Sequence, residues 1–197
     1  MTELGAPGPE GDQSWHLKPV DVVAAITANA DHCDFVDIPV PREVLEQMVW
    51  AARRAQQGRS GVRNMVAVDD KGLIEQSKAF LTGFDGTPGA LVVHCTDLKQ
   101  ARALGGVEYA KSSTPLDAGA ACAHLGLMAQ ALGLGVCRTS GWREVAVREW
   151  IDLPEHIRPD AVVAVGWKAS CDEVAGESNE PGPVHSNRFG HTFGGQP

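Results

Sequence analysis

The chain has 197 residues, 43% of them apolar, enough for a real core in one domain, or in one subunit whose core a partner completes. A formal charge of −8 and a pI near 5.3 argue against nucleic acid and acidic membrane surfaces as partners. The five cysteines, Cys33, Cys95, Cys122, Cys137 and Cys171, are odd in number and include no CxxC, so they read as reduced thiols of a cytoplasmic protein.

Taken in order, residues 1–15 are rich in Gly, Pro and acid and are expected to be disordered. They hold neither the basic run nor the apolar core of a signal peptide. Residues 19–30 read as a short helix with Val22, Val23 and Ile26 inward, and 31–41 as an extended crossing with two prolines. Residues 41–55 form an amphipathic helix whose buried stripe is Val44, Leu45, Met48, Val49 and Ala52. The polar, Gly-punctuated run 56–64 is a loop. Strands are expected at 65–69, at ALVVHCTD, at 135–139 and at 161–166. Helices are expected at 73–81 and 143–151, with a shorter one and a Gly-Gly break within 98–111. His94 and Cys95 are adjacent in a buried strand, so one points inward and the other outward, and a structural role outweighs chemistry for both. Residues 171–197 are Gly/Pro/polar and cannot form a core, so they read as an arm lying across a surface.

The organising stretch is SSTPLDAGAACAHLGLMAQALGL, residues 112–134. Thr114 suits an N-cap, Pro115 the first helical position, and Asp117 the first turn, facing free amides and the positive helix end. Gly133 and Gly135 offer a left-handed C-cap. Ala118, Ala121, Cys122, Leu125, Ala129 and Leu132 recur at helical spacing, and the opposite side is apolar too. A helix apolar all round is expected to be buried all round, here through a second subunit. Strands alternating with helices give an α/β or α+β domain.

The order of these features resembles the nitroreductase superfamily over about residues 20–190. The resemblance rests on DAGAACAHLGLMAQALGLG as the family's central dimer helix, on TSGWREVAVREWIDLPEHIRPDAVVAVGW as its glycine turn, short helix, Leu-Pro corner and closing strand, and on GTPGALVVHC as the preceding strand. It implies a nitroreductase-like domain over 16–170. That domain would have a central, mostly antiparallel sheet flanked by helices and a long buried helix at a dimer interface, with arm 171–197 packing on the partner subunit.

The resemblance also implies FMN, with NAD(P)H as reductant. The family's arginine run for the FMN phosphate falls on Asn29, Ala30, Asp31, His32 and Cys33, where no arginine stands. Its Pro-Ser, Asn and Gln-Pro-Trp residues around the flavin ring fall within Gln56–Asn64, where none survives. The Ser140-Gly141-Trp142 turn does match, and implies a backbone contact at the flavin N5. Arg188 falls where the family often places a phosphate-binding cation. Arg59, Arg63 and Arg188 are therefore the candidates to replace the missing arginines, and Ser140, Gly141 and Trp142 complete the cofactor-binding set. Trp142 fits stacking on a flat ring and covering the sheet edge equally well.

The expected function is flavin-type electron or hydride transfer to a small planar organic substrate by a homodimer. Two alternatives stay open. One is a member without FMN that uses the emptied cleft, around His32, Cys33, Arg59 and Arg63, for another ligand. The other is a non-catalytic subunit paired with a homologue. No metal site is expected, because zinc-type spacing is absent.

Overall fold

The computed structural model describes residues 20–139, 141–169 and 182–191. Segment 1–15, Ser140, Cys171 and most of arm 171–197 lie outside these residues. The secondary structure comprises α1 (Val22–Thr27), β1 (Asp34–Phe35), α2 (Arg42–Arg54), β2 (Arg63–Val68), α3 (Lys71–Ser77), β3 (Asp85–Gly86), β4 (Ala90–Asp97), α4 (Leu98–Glu108), α5 (Thr114–Leu132), β5 (Gly135–Thr139), α6 (Glu144–Trp150) and β6 (Ile157–Gly166).

An antiparallel sheet in the order β2-β4-β6-β5 forms the middle layer, and β1 and β3 make a separate two-residue parallel pair. The apolar runs of β4 and β6 put them at its centre, buried on both faces. One face carries α2 and α5, where Val44, Leu45 and Met48 meet Ala121, Leu125 and Ala129 over Val92, Val136 and Val163. The other carries α3 and α6, where Ile74 and Val147 pack over Leu91, Val93 and Val162. Both faces of β4 are covered, so His94 and Cys95, on opposite faces of this buried strand, are 0% and 1% exposed.

Three local expectations are corrected. Val22, Val23 and Ile26 point outward from α1, between 61% and 71% exposed, and only Ala25 is buried. Thr114 does not cap a free helix end: α5 continues from α4 through a π-helical turn, Tyr109–Ser113, after a break at Gly106, whose φ is 76°. Thr114 instead donates its hydroxyl to the Ala110 carbonyl at 3.0 Å and accepts from Arg158 at 2.8 Å. Asp117 consequently meets no free amides of its own helix and turns to a loop. The C-cap is as expected, with Gly133 in the left-handed region at φ 73°.

The third correction concerns the central helix. In the single chain α5 has two apolar stripes; the inner one is fully covered, and the outer one only in part, with Ala120, Leu127 and Ala131 half-buried. Ala118, Ala121, Cys122, Leu125 and Ala129 are buried, while Leu116, on the stripe continued by Ala120, Ala123, Leu127 and Ala131, is 74% exposed. Small residues also let the chain approach this helix closely: a Cβ on Gly126 would collide with Oδ1 of Asn29.

The thiol expectation fails for one pair. Cys33 and Cys137 form a disulfide across 104 residues of sequence, while Cys95 and Cys122 are free and buried. Among the described residues no helix is long and apolar enough to cross a membrane, and no cluster of His, Cys, Asp and Glu fits a metal ion.

Candidate functional site

The loop between α2 and β2 is shaped by two charged side chains. Asp117, in the first turn of α5, accepts the Gly58 amide on both carboxylate oxygens at 3.0 Å and the Tyr109 hydroxyl at 3.3 Å. Burial and this carboxylate push the Tyr109 phenol up from its ordinary value. Gly58 sits so close to the ring that a Cβ would lie 2.9 Å from Tyr109 Cε2.

Arg63, the first residue of β2, donates to the Asp117 carbonyl at 3.2 Å, to Arg53 at 3.1 Å and to Ala55 at 3.0 Å. Its guanidinium thus ties off the C-terminal carbonyls of α2, a helix end that otherwise leaves such groups unpaired. Arg63 also lines a cavity of about 520 Å³ with Arg53, Gln57, Ser60, Asn64 and Met65. The volume suits a small-molecule ligand, and the lining offers amide, hydroxyl and guanidinium donors. Arg59 is exposed in the same loop, close enough to Tyr109 to influence its phenol.

Asp117→Ala is expected to free the Gly58 amide and loosen the loop. Amide exchange at Gly58 should rise and stability fall by about 1–2 kcal/mol, read by hydrogen-exchange mass spectrometry and thermal melting.

Gly141 and Trp142 follow β5 at the other edge of the sheet, three strand spacings or roughly 14 Å from β2. Gly141 bridges Thr82 and accepts its hydroxyl at 3.2 Å, and a Cβ there would collide with Thr82 Oγ1. Trp142 is half-buried and packs with the α3 and α6 layer, away from the face that holds Arg63. Arg188 is exposed in the short described stretch 182–191. Arg59 and Arg63 therefore share a loop-strand junction, while Gly141 and Trp142 stand on the opposite edge of the chain.

Segment 29–33 is closely tied to β5. Asp31 is paired with Arg138 at 2.8 Å, the His32 amide donates to the Val136 carbonyl at 2.8 Å, and Cys33 carries the disulfide. The His32 ring is buried, and burial together with nearby Lys168 pulls its pKa below the ordinary value. These ties are tertiary and left no local signal in the sequence.

The chain matches the model of the nitroreductase family over residues 59–167, more than half its length. This chain belongs to the nitroreductase family. Solved structures agree on the fold. An FMN-dependent nitroreductase from Clostridium difficile R20291 superposes with a TM-score of 0.69 at 18% identity, over 85% of this chain and 100% of that one. The NfrA1 nitroreductase of B. subtilis gives 0.66 at 22% identity, over 76% and 67%. A nitroreductase family protein from Clostridium difficile 630 gives 0.62 at 20% identity, over 77% and 86%.

Against FMN, the two halves of the nitroreductase site differ. The cavity at 57–65 has the size and polar donors for a flavin ring. Segment 29–33 does not fit the phosphate: it offers no free cation, its Asp31 already neutralises Arg138, and its His32 amide is already bonded. A phosphate dianion needs charge-assisted donors worth about 1.5–3 kcal/mol each.

Proposed function

We propose that the chain is a nitroreductase-type oxidoreductase that works as a homodimer, binding FMN at the joint between subunits and serving electron or hydride transfer to a small planar organic substrate. The observation that carries this reading is the division of the site. The ring-sized cavity beside Arg63 and the Gly141–Trp142 turn lie on opposite edges of one chain, so a second copy is needed to bring the two together.

Flavin supplies the redox chemistry when bound. The chain's own residues have narrower tasks. Gln57, Ser60 and Asn64 offer hydrogen bonds to a polar ring edge, and Arg63 fixes the cavity wall. Gly141 presents the turn, with Trp142 beside it. Arg59 and Arg188 supply the positive charge that segment 29–33 lacks. A reduced nicotinamide, NAD(P)H, is the reductant in this reading, and a cytoplasmic setting suits it.

The outer stripe of α5 supports the dimer. Leu127 and Ala131 line a groove with Val22 and Ala25 of α1, and Leu116, in the first turn of α5, is 74% exposed, which leaves apolar surface that one chain does not cover by itself. Leu116→Asp should leave the monomer folded, since Leu116 touches solvent, and should halve the mass measured by light scattering. A wild-type mass equal to one chain of 20.9 kDa would remove the dimer from this account.

The cofactor reading is tested by the visible spectrum after adding excess FMN and passing the protein through gel filtration. Retained flavin bands support it, and Arg59→Ala or Arg188→Ala should then weaken FMN more than riboflavin. The charge balance of segment 29–33 favours a second reading, a member without FMN that binds another ligand in the cavity or serves as the non-catalytic partner of a homologue. A colourless protein that ignores FMN would select it.

A further inference from the structure

We infer that the Cys33–Cys137 disulfide is a redox-sensitive clasp: it holds an N-terminal flap, residues 20–34, against β5, and a dithiol reductant releases that flap while the sheet stays folded. The inference is independent of flavin binding.

Before residue 29 the flap has few other attachments. Its helix α1 buries only Ala25 and leaves Val22, Val23 and Ile26 in solvent. The Asp31–Arg138 pair is 38% and 39% exposed on its two side chains, a setting in which ion pairs stabilise little. Three backbone bonds remain before the core begins: the His32 amide to the Val136 carbonyl at 2.8 Å, the Asp85 amide to the Cys33 carbonyl at 2.7 Å, and the Ala169 amide to the Asp34 carbonyl at 3.0 Å. Phe35, 3% exposed, is the first residue after the disulfide to enter the core and marks the hinge end of the flap.

A second observation points the same way. Asn29 Oδ1 and His32 Nε2 are both buried without a hydrogen-bond partner. Both lie within four residues of Cys33, on the flap side of Phe35. Burying a polar atom without a partner disfavours the closed position, and opening returns both atoms to water. The closed flap is thus held by a covalent bond against two local polar penalties.

The chemistry balances as an ordinary exchange. A thiolate of the dithiol attacks one sulfur, and the Cys33–Cys137 bond breaks. The second thiol of the reductant displaces the remaining cysteine, two electrons pass to the pair, each cysteine takes a proton, and the reductant leaves as its own disulfide. Cys33 is half-buried rather than sealed in the core. The described free thiols do not compete: burial pushes Cys95 up to about 12 and Cys122 up to about 11, which keeps both protonated and inert. β5 runs directly towards Gly141, so the clasp couples the flap to the strand that leads into the candidate site.

The test is hydrogen-exchange mass spectrometry on the full chain with and without dithiothreitol, alongside alkylation mapping. In the untreated protein Cys33 and Cys137 should resist alkylation. Reduction should make both alkylatable and raise amide exchange in 22–34 by at least about tenfold, with β4 and β6 unchanged. Cys137→Ser should reproduce the open pattern without reductant. Flap amides that keep their protection after reduction would overturn the inference. So would a joint loss of protection in β4 and β6, which would make the bond a staple of the whole domain. Free thiols at both positions in untreated protein would overturn it as well.

Discussion

Arg63→Met is expected to lower the free energy of unfolding by about 2–4 kcal/mol, measured by urea denaturation at neutral pH. Methionine keeps an apolar stem of similar length but removes the fork that reaches three carbonyls, at Arg53, Ala55 and Asp117. Two of those carbonyls close α2 and the third belongs to α5, so the loss is felt at the junction of both helices with β2. Lysine keeps the charge but cannot span three acceptors at once, so Arg63→Lys should fall between the two. The residue also bears on the flavin reading. A loss of ligand in Arg63→Met should come with a looser cavity wall, whereas Arg59→Ala should weaken an anionic ligand in a fully stable protein. An Arg63→Met protein as stable as wild type would show that the guanidinium does not hold the α2 end.

Acidification is expected to expose a second large effect, centred on His94. Its ring is fully buried on β4, neither nitrogen has a hydrogen-bond partner, and burial together with the Arg63 charge pulls its pKa from 6.5 to about 4. The unfolded chain therefore binds a proton between pH 6.5 and 4 that the folded chain refuses. Stability attached to the neutral ring is complete above pH 6.5 and declines as the pH falls through that window. The drop is about 3 kcal/mol for a shift of this size. His32, held below its ordinary value by burial and Lys168, adds in the same direction. His94→Leu fills a similar volume without polar atoms. It should flatten the stability profile between pH 6.5 and 4 while leaving stability at pH 7 equal or higher. Arg63→Met should raise the His94 pKa and narrow the window from its lower end. A wild-type profile flat across that window would contradict the assignment.

What the sequence disclosed follows from which signals are local. The α2 stripe of Val44, Leu45 and Met48 is set by helical spacing, and all three are buried. The runs of β4 and β6 and the Gly133 cap are equally local and stand as expected. Segment 29–33 was singled out from its alignment with a phosphate clamp, but its ties to Arg138, Val136 and Cys137 cross long stretches of chain. A disulfide closing 104 residues has no spacing rule to betray it. Asp117 looked like a helix-end acid because the π-helical turn before it is invisible in composition, and that turn is why the side chain meets Gly58. The outward face of α1 has another reason: periodicity tells which residues are apolar, and not which of them the chain covers.

The claim at the centre of this account is that the flavin site is completed by two copies of the chain. The direct measurement is a flavin fluorescence titration of the wild-type protein beside the Leu116→Asp variant, with circular dichroism confirming that both are folded. Saturable quenching is expected for the wild-type protein and none for the Leu116→Asp variant at the same concentrations. A folded monomer that binds flavin as tightly as wild type would place the whole site within one chain and contradict the account.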